Sequence, residues 1–156
     1  MGIARTHDPE GSRLRARAAR DRTQRPDRQN GRVRDDPLDR LRRICLALPE
    51  TTERLSHGEP TFFVRDKKTF VMYADNHHDD GRLAFWCAAP ARFQSMLVEA
   101  EPERFFVPPY VGHRGWIGVR LDRDVDWGEI RAIIDGAYRM VAPKRLVAEL
   151  ERLRGE

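Results

Sequence analysis

Short turns separate the strand-forming segments of this chain, and they constrain its fold more than any other sequence feature. Residues 61–65 and 69–74 are rich in Phe, Val and Thr and flank Asp66-Lys67-Lys68, a pattern that predicts a β-hairpin. Residues 83–88 are apolar on both alternations, which is typical of a central strand. Connections this short join antiparallel neighbours, because parallel strands need a crossover of about a dozen residues or more. The sequence therefore predicts an antiparallel sheet.

Amphipathic helices and further short strands accompany these segments. Apolar residues recur at three- and four-residue steps in the three longest predicted helices, residues 37–48, 126–141 and 143–153, and Pro90 opens a shorter helix to about Glu99. Asp36 and Asp126 are the predicted N-caps of the first and third helices. The remaining strands are predicted at residues 53–57, 105–107 and 116–121. We expect an α+β fold with the helices packed on one face of the sheet.

The net charge of +4 comes from the N-terminal segment. The first 36 residues contain ten arginines and six acidic residues, so residues 37–156 carry equal numbers of basic and acidic side chains. Residues 1–34 also lack apolar periodicity, and we expect a disordered Arg-rich extension followed by a single domain at residues 35–154. We interpret the extension as a solvated segment, outside the native protein if translation begins at Val33. The alternative is a basic arm that contacts phosphates.

The cysteines and the lengths of the apolar runs bear on the cellular compartment of the protein. Cys45 and Cys87 both lie in apolar runs, which predicts buried free thiols. The Arg-rich N-terminus lacks the apolar stretch of a signal peptide, and no run reaches the ~20 apolar residues that cross a bilayer. We therefore expect a cytoplasmic protein with no membrane partner. No feature of the sequence determines an oligomeric state.

Four short motifs carry a family resemblance. They are His57-Gly58-x-Pro60, Phe105-Phe106-Val107-Pro108, Gly115-Trp116-x-Gly118-Val119-Arg120-Leu121 and Tyr138-x-x-Val141-Ala142-Pro143-Lys144. Through these motifs, in order and at matching intervals, the chain resembles the MmcQ/YjbR family of small bacterial proteins over roughly residues 37–150. The resemblance implies a CyaY-like fold, here an α+β antiparallel sheet with helices on one face. Since proteins of this family are usually labelled as DNA-binding, it also implies a DNA-binding function.

No set of residues has the spacing of an active site or a metal centre. The segment His77-His78-Asp79-Asp80 offers ligand atoms, but adjacent residues rarely point at one ion, and we interpret the segment as a solvated turn. Gly112-His113-Arg114-Gly115 lacks the Gly-Lys-Ser/Thr ending of a P-loop and precedes a strand. The serines and cysteines lack the flanking motifs of known nucleophiles. We predict a non-catalytic protein with no metal and no cofactor.

Alternation in the last predicted strand separates two faces. The apolar face holds Ile117, Val119 and Leu121, and the other holds Arg114, Trp116, Gly118 and Arg120. Alternation in their own strands is predicted to add Tyr73 and Trp86 to the second face. Several single-strand binders stack bases on aromatic residues beside arginines on an open sheet. The same set would suit a small-molecule pocket. The structural alternative is that Trp116 fills a secondary core beneath Arg side-chain stems.

These features lead to three functional hypotheses. We predict a DNA- or RNA-binding module, whose contacts are Lys67, Lys68, Arg114, Trp116 and Arg120. The alternative is a small-ligand-binding protein or minor enzyme, whose pocket residues are His57, Tyr73, Trp86, His113 and Trp116. A protein-interaction module is a further alternative. The neutral charge of residues 37–156 argues against strong nucleic-acid binding, and a concave cavity would favour the pocket.

Overall fold

A computed structural model of the chain describes residues 35–156, and the predictions for residues 1–34 lie outside this range. Six strands form one antiparallel sheet: β1 (Thr51–Ser56), β2 (Glu59–Val64), β3 (Lys68–Asp75), β4 (Leu83–Cys87), β5 (Phe105–Phe106) and β6 (Ile117–Arg120). Four helices accompany it: α1 (Pro37–Leu46), α2 (Phe93–Ala100), α3 (Trp127–Val141) and α4 (Lys144–Arg154). The strand order is β1-β2-β3-β4-β6-β5. The predicted α+β fold is confirmed.

The caps of α1 and α3 follow from local sequence. The Asp36 carboxylate accepts a hydrogen bond from the backbone N–H of Leu38, and Pro37 occupies the first helical turn. The Asp126 carboxylate accepts from the N–H groups of Gly128 and Glu129. The Glu129 side chain accepts from Arg104. Helix α1 ends two residues earlier than predicted, since Leu48 lies in the turn before Pro49 and is buried there.

Short connections of two residues, 57–58, and three residues, 65–67, join the first three strands. His57 and Gly58 between β1 and β2 have φ of 53° and 79°, and Arg65 and Asp66 between β2 and β3 have φ of 52° and 57°. Two successive residues with positive φ form the type I′ turn, whose twist matches that of a β-hairpin. The predicted hairpin is therefore confirmed, with the turn one residue earlier than expected. Lys67 closes it and Lys68 begins β3.

Register divides the sheet into a helix face and a second face. Directly opposed residues of antiparallel strands point to the same side. The helix face includes two cross-strand rows, Phe62-Val71-Cys87-Ile117 and Tyr73-Phe85-Val119-Phe105, all buried. Helices α1, α3 and α4 add further core residues, including Leu41, Ile130, Ile134 and Leu146. The second face includes the row Thr61-Met72-Trp86-Gly118-Phe106.

A β-bulge anchors the C-terminal half of α3 to the sheet. Phe62 pairs with Val71 and Phe63 with Thr69, so Phe70 is the additional residue of β3. The Phe70 ring meets the Tyr138 ring edge-on at 5.8 Å. The Tyr138 hydroxyl in turn donates a hydrogen bond of 2.8 Å to the carbonyl of Pro49. The end of α3 is thereby held beside the β2–β3 hairpin.

Within residues 35–156, the helices are too short or too polar to cross a membrane.

Candidate functional site

A cavity of about 1060 Å³ lies against the second face of the sheet. Buried strand residues of this face form part of its wall, namely Thr61, Met72 and Trp86, together with Trp116, which directly precedes β6. Turns and loops supply most of the remaining wall: Ser56, His57, Lys67, Lys68, His77, His78, Tyr110, Val111 and Arg114. Met140 and Val141 close it from the end of α3. The site thus combines a rigid sheet surface with side chains from four loops.

The cavity is cationic although residues 37–156 as a whole are neutral. Lys67, Lys68 and Arg114 line it, and its described lining residues include no carboxylate. Three imidazoles, those of His57, His77 and His78, add hydrogen-bonding nitrogens to the same wall. A concave surface with charge of one sign concentrates the local electrostatic potential. The arrangement therefore favours an anionic ligand.

Glu59 orients the most enclosed imidazole. The Nδ1 atom of His77 lies 3.3 Å from Oε1 of Glu59, and only 11% and 13% of these two side chains is exposed. The His77 ring also meets the Trp86 ring edge-on at 5.4 Å and lies 4.2 Å from the His78 ring. In the neutral imidazole, an Nδ1–H that donates to Glu59 leaves Nε2 as an acceptor. Through this contact, Glu59 holds the orientation of this cavity residue.

Trp86 places an unpartnered donor beside the cavity. Its side chain is 3% exposed, and its Nε1–H has no hydrogen-bond partner among the described residues. A buried donor without a partner costs about 1–3 kcal/mol. Buried tryptophans usually satisfy this group, so packing for stability alone does not explain the environment of Trp86.

Left-handed backbone conformations surround the cavity. His57, His78 and Tyr110 have φ of 53°, 53° and 65°, which non-glycine residues adopt at a cost. All three line the cavity, and they come from three separate turns or loops. The type I′ turn accounts for His57, whereas His78 and Tyr110 lie outside such a hairpin turn and carry strain of the kind that is frequent at functional sites.

The structure brings most of the predicted nucleic-acid contacts to one place. Lys67 and Lys68 from the hairpin and Arg114 and Trp116 from the segment before β6 line the same cavity, as do the predicted pocket residues His57 and Trp86. The predictions of a nucleic-acid surface and of a pocket thus refer largely to one site.

Trp116 does not form the open stacking surface that alternation indicated. It is only 6% exposed. The side-chain amide of Gln94 donates a 2.6 Å hydrogen bond to its carbonyl, and the Arg114 guanidinium lies 5.9 Å from its ring centroid. The structural alternative, a packed tryptophan with an Arg side chain nearby, describes it better. Its remaining surface belongs to the cavity wall.

Arg120 does not line the cavity. Its guanidinium donates two hydrogen bonds, of 2.9 and 2.8 Å, to the Asp122 carboxylate. This pairing lowers the pKa of Asp122 to about 2. The pairing of Arg120 with Ala84 keeps it on the second face, as alternation predicts, but its charge is neutralised locally and the structure does not bring it to the cavity with Arg114.

Two further predicted pocket residues also lie elsewhere. Tyr73 pairs with Phe85, one residue from Trp86, and therefore belongs to the helix face. Its burial raises its pKa to about 12. His113 lies in a 3₁₀ turn at Gly112–Arg114, where its side chain is exposed and does not line the cavity. The structure therefore brings neither residue to the cavity.

Sequence reasoning missed His77, His78 and Tyr110. The sequence pattern favours a solvated turn for the two histidines and gives no prediction for Tyr110. The one sequence feature that could have indicated them is a ring-bearing residue in each of two long loops: His77-His78 shortly after β3, and Tyr110 directly after Pro108-Pro109. That signal does not indicate that the two loops meet.

Other reactive chemistry is limited in the described residues. Burial raises the pKa of both the Cys45 and Cys87 thiols, so neither is poised as a nucleophile. No cluster of three or more His, Cys, Asp or Glu within residues 35–156 has a metal-binding arrangement. The chemistry that the cavity supports is the binding of an anionic, partly aromatic ligand.

Comparison with known proteins supports the fold. A protein-family model described as YjbR matches residues 46–140. Among solved structures, the crystal structure of the Deinococcus radiodurans protein DR2400, which has a DUF419 domain, is similar with a TM-score of 0.58. The sequence identity is 20%, and the alignment covers 72% of this chain and 86% of that one, so the likeness concerns the fold. The comparison with curated proteins gave no match.

Proposed function

Given that the chain belongs to the YjbR family, we propose that it binds single-stranded nucleic acid, with one unstacked nucleotide in the cavity. One observation carries this proposal. Lys67 and Lys68, from the β2–β3 hairpin, and Arg114, from a loop far along the chain, line the same cavity beside aromatic side chains. The Lys and Arg side chains can bind phosphates, and the aromatic side chains can stack on bases.

The shape of the site favours a single strand over a duplex. Proteins read duplex DNA by inserting a helix or a β-ribbon into a groove, which requires a protruding element. The proposed site is concave instead. In a single strand, bases can be splayed out and enclosed individually. A concave site of about 1060 Å³ has room for at least one nucleotide.

The proposed binding is moderate in strength and sensitive to salt. Residues 37–156 are neutral overall, so only the local charges of the cavity attract the strand. Each phosphate contact on a single strand contributes about 0.7 to the slope of log affinity against log salt. The arginines of residues 1–34 would add a component without sequence preference.

Fluorescence anisotropy of the full-length chain with a labelled single-stranded oligonucleotide, across a salt series, tests the proposal. The double variant Lys67→Ala/Lys68→Ala is expected to weaken binding and to reduce the salt slope by about 1.4, since two phosphate contacts are lost. Arg131→Ala/Arg152→Ala is the matched control, because it removes two exposed positive charges away from this cavity.

Equal losses in the two double variants would contradict the proposal, since they would show that only overall charge matters. Absence of binding by the full-length chain at low salt would also contradict it. A same-sequence duplex is expected to bind less tightly than the single strand.

One observation favours a second candidate function, the binding of a free small anion such as a nucleoside phosphate. Trp86 and Trp116 are almost fully buried, so the aromatic wall is enclosed rather than open. Thermal denaturation with nucleoside monophosphates tests this candidate. A rise in midpoint with a monophosphate, without any oligonucleotide binding, would replace the first proposal with the second.

A further inference from the structure

Tyr110 is unusual among the exposed residues. Its side chain is 72% exposed, and it is the one aromatic among the large hydrophobic side chains that are exposed in residues 35–156. Its backbone has a φ of 65°, a conformation that is unfavourable for an aromatic residue. Tyr110 thus gains little from packing and still occupies a strained position. Stability of the fold does not explain its presence.

Among residues 35–156, the Tyr110 ring has one aromatic neighbour, and that neighbour comes from a different loop. The His78 ring lies 5.5 Å away in an edge-to-face arrangement. His78 also has a left-handed backbone, with φ of 53°, and is itself 4.2 Å from the His77 ring. Two strained residues from loops after β3 and after β5 are therefore brought into contact beside the cavity.

The position of Tyr110 relative to the charges completes a site for a nucleotide. Tyr110 lines the same cavity as Lys67, Lys68 and Arg114, so a phosphate on the cations and a ring on Tyr110 can belong to one molecule. Trp86 and Trp116, at 3% and 6% exposed, offer little free ring surface, whereas Tyr110 offers most of its ring. An exposed aromatic face is what an unstacked base requires.

We propose that Tyr110, supported by His78, is the base-stacking residue of this site. The ligand is a nucleobase of the bound strand, and its flanking phosphates contact Lys67, Lys68 and Arg114. This assignment rests on the proposed nucleic-acid function and adds to it the element that holds the base. Since every base has an aromatic face, the contact is largely indifferent to sequence.

Tyr110→Ala and Tyr110→Phe, in the full-length chain, test the assignment with two labelled probes of equal length. One probe is single-stranded DNA, and the other has the same sugar-phosphate backbone without bases. Tyr110→Ala is expected to weaken binding of the base-containing probe by about 5- to 150-fold, the range measured for base–aromatic stacking. Tyr110→Phe keeps the ring and is expected to keep the affinity. Neither variant is expected to change binding of the abasic probe.

Salt dependence separates stacking from charge. The loss in Tyr110→Ala is expected to persist as salt rises, because no charge is removed, whereas the loss in Lys67→Ala/Lys68→Ala shrinks. Leu153→Ala is the matched control, since Leu153 is an exposed apolar residue of α4 outside the cavity. Tyr110→Asn is a second variant without the ring, and asparagine tolerates the left-handed backbone better.

The outcomes distinguish this inference from the function on which it rests. Equal affinities of the natural chain and Tyr110→Ala for the base-containing probe, with the lysine variant still impaired, would overturn stacking and leave nucleic-acid binding intact. An equal loss on the abasic probe would also overturn it, because Tyr110 would then act by positioning the loop. Failure of every probe to bind the natural chain would overturn both proposals.

Discussion

Phe85 and Trp86 are consecutive residues of β4, and they show how different the two faces of the sheet are. Phe85 is fully buried on the helix face, in the row Tyr73-Phe85-Val119-Phe105. Trp86 is also buried, but on the second face, where its Nε1–H has no partner among the described residues and its ring borders a large cavity. The two residues are equally inaccessible to water and differ in how completely protein atoms surround them.

The difference follows from what covers each face. Helices α1 and α3 bring apolar stripes to the helix face, so packing is dense there. Loops contribute most of the cover on the cavity part of the second face, and they carry Lys, His, Arg and Tyr side chains in place of aliphatic ones. Loops also adopt the strained conformations that a binding site tolerates and a core does not need. The helix face therefore forms the densely packed core, and the second face carries the cavity that we propose as the binding site.

Phe85→Ala gives the largest expected effect and tests the helix face. Removing a fully buried phenylalanine is expected to lower the free energy of unfolding by about 3–5 kcal/mol, through lost burial and the resulting void. Urea denaturation followed by circular dichroism measures it. A loss below 1 kcal/mol would show that the helix face is not the tightly packed one.

Gly118→Ala tests the filled end of the second face. A Cβ at Gly118 would lie 2.4 Å from carbons of the Phe106 ring, and the Arg82 guanidinium covers that ring at 4.1 Å from its centroid. Overpacking of this kind is expected to cost about 1–3 kcal/mol. The measurement is the denaturation midpoint of the variant against that of the natural chain. An unchanged midpoint would mean that the Phe106 end is as loosely filled as the cavity.

Asp122→Asn tests whether Arg120 is a structural residue. The folded pKa of Asp122, about 2, is below its ordinary value of 3.8, so the stability from the ionised carboxylate is complete above about pH 4 and is lost as pH falls to 2. At pH 7 the variant is expected to lose about 1 kcal/mol. The difference from the natural chain should shrink as pH falls from 4 to 2 and disappear below pH 2, as thermal denaturation at several pH values will show. A constant difference across that range would exclude the pairing as its cause.

Trp86→Phe has the smallest expected effect and tests the second face at the Trp86 Nε1–H, which has no hydrogen-bond partner among the described residues. The substitution removes the unpartnered Nε1–H, whose burial is unfavourable, together with part of a ring that already borders empty volume. These changes oppose each other, so the stability should stay within about 1 kcal/mol of the natural chain. Denaturation under the conditions used for Phe85→Ala gives the comparison directly. A loss as large as that of Phe85→Ala would make the two faces energetically alike.

Local sequence determined the elements of this fold. The apolar steps of α3, the Asp36 and Asp126 caps and the short turn before Lys68 all depend on residues within a few positions of one another. For that reason the helices, the hairpin and the central position of β4 were predictable. The boundaries shifted by one to three residues where a turn competed with the element, as at the end of α1 and at the start of α2, which begins at Phe93 instead of Pro90.

The site depended on contacts that local patterns do not contain. Alternation fixes the relative faces of residues within one strand, but the register between strands decides whether two strands present matching faces. Tyr73 and Trp86 were therefore grouped by sequence and separated by the pairing of Tyr73 with Phe85.

The loops show the same limit. His78 and Tyr110 lie in loops 32 positions apart, and only the packing of the sheet brings their rings to 5.5 Å. Arg120 had the same alternation as Trp116, yet its ion pair with Asp122 removed it from the site. The sequence by itself determined the helices and the turns, because these depend on residues close together in the chain, and it determined the family, because the family motifs are present in the sequence itself. The tertiary structure decided which side chains share the cavity. These residues are distant in the sequence, and only the pairing of the strands brings them together.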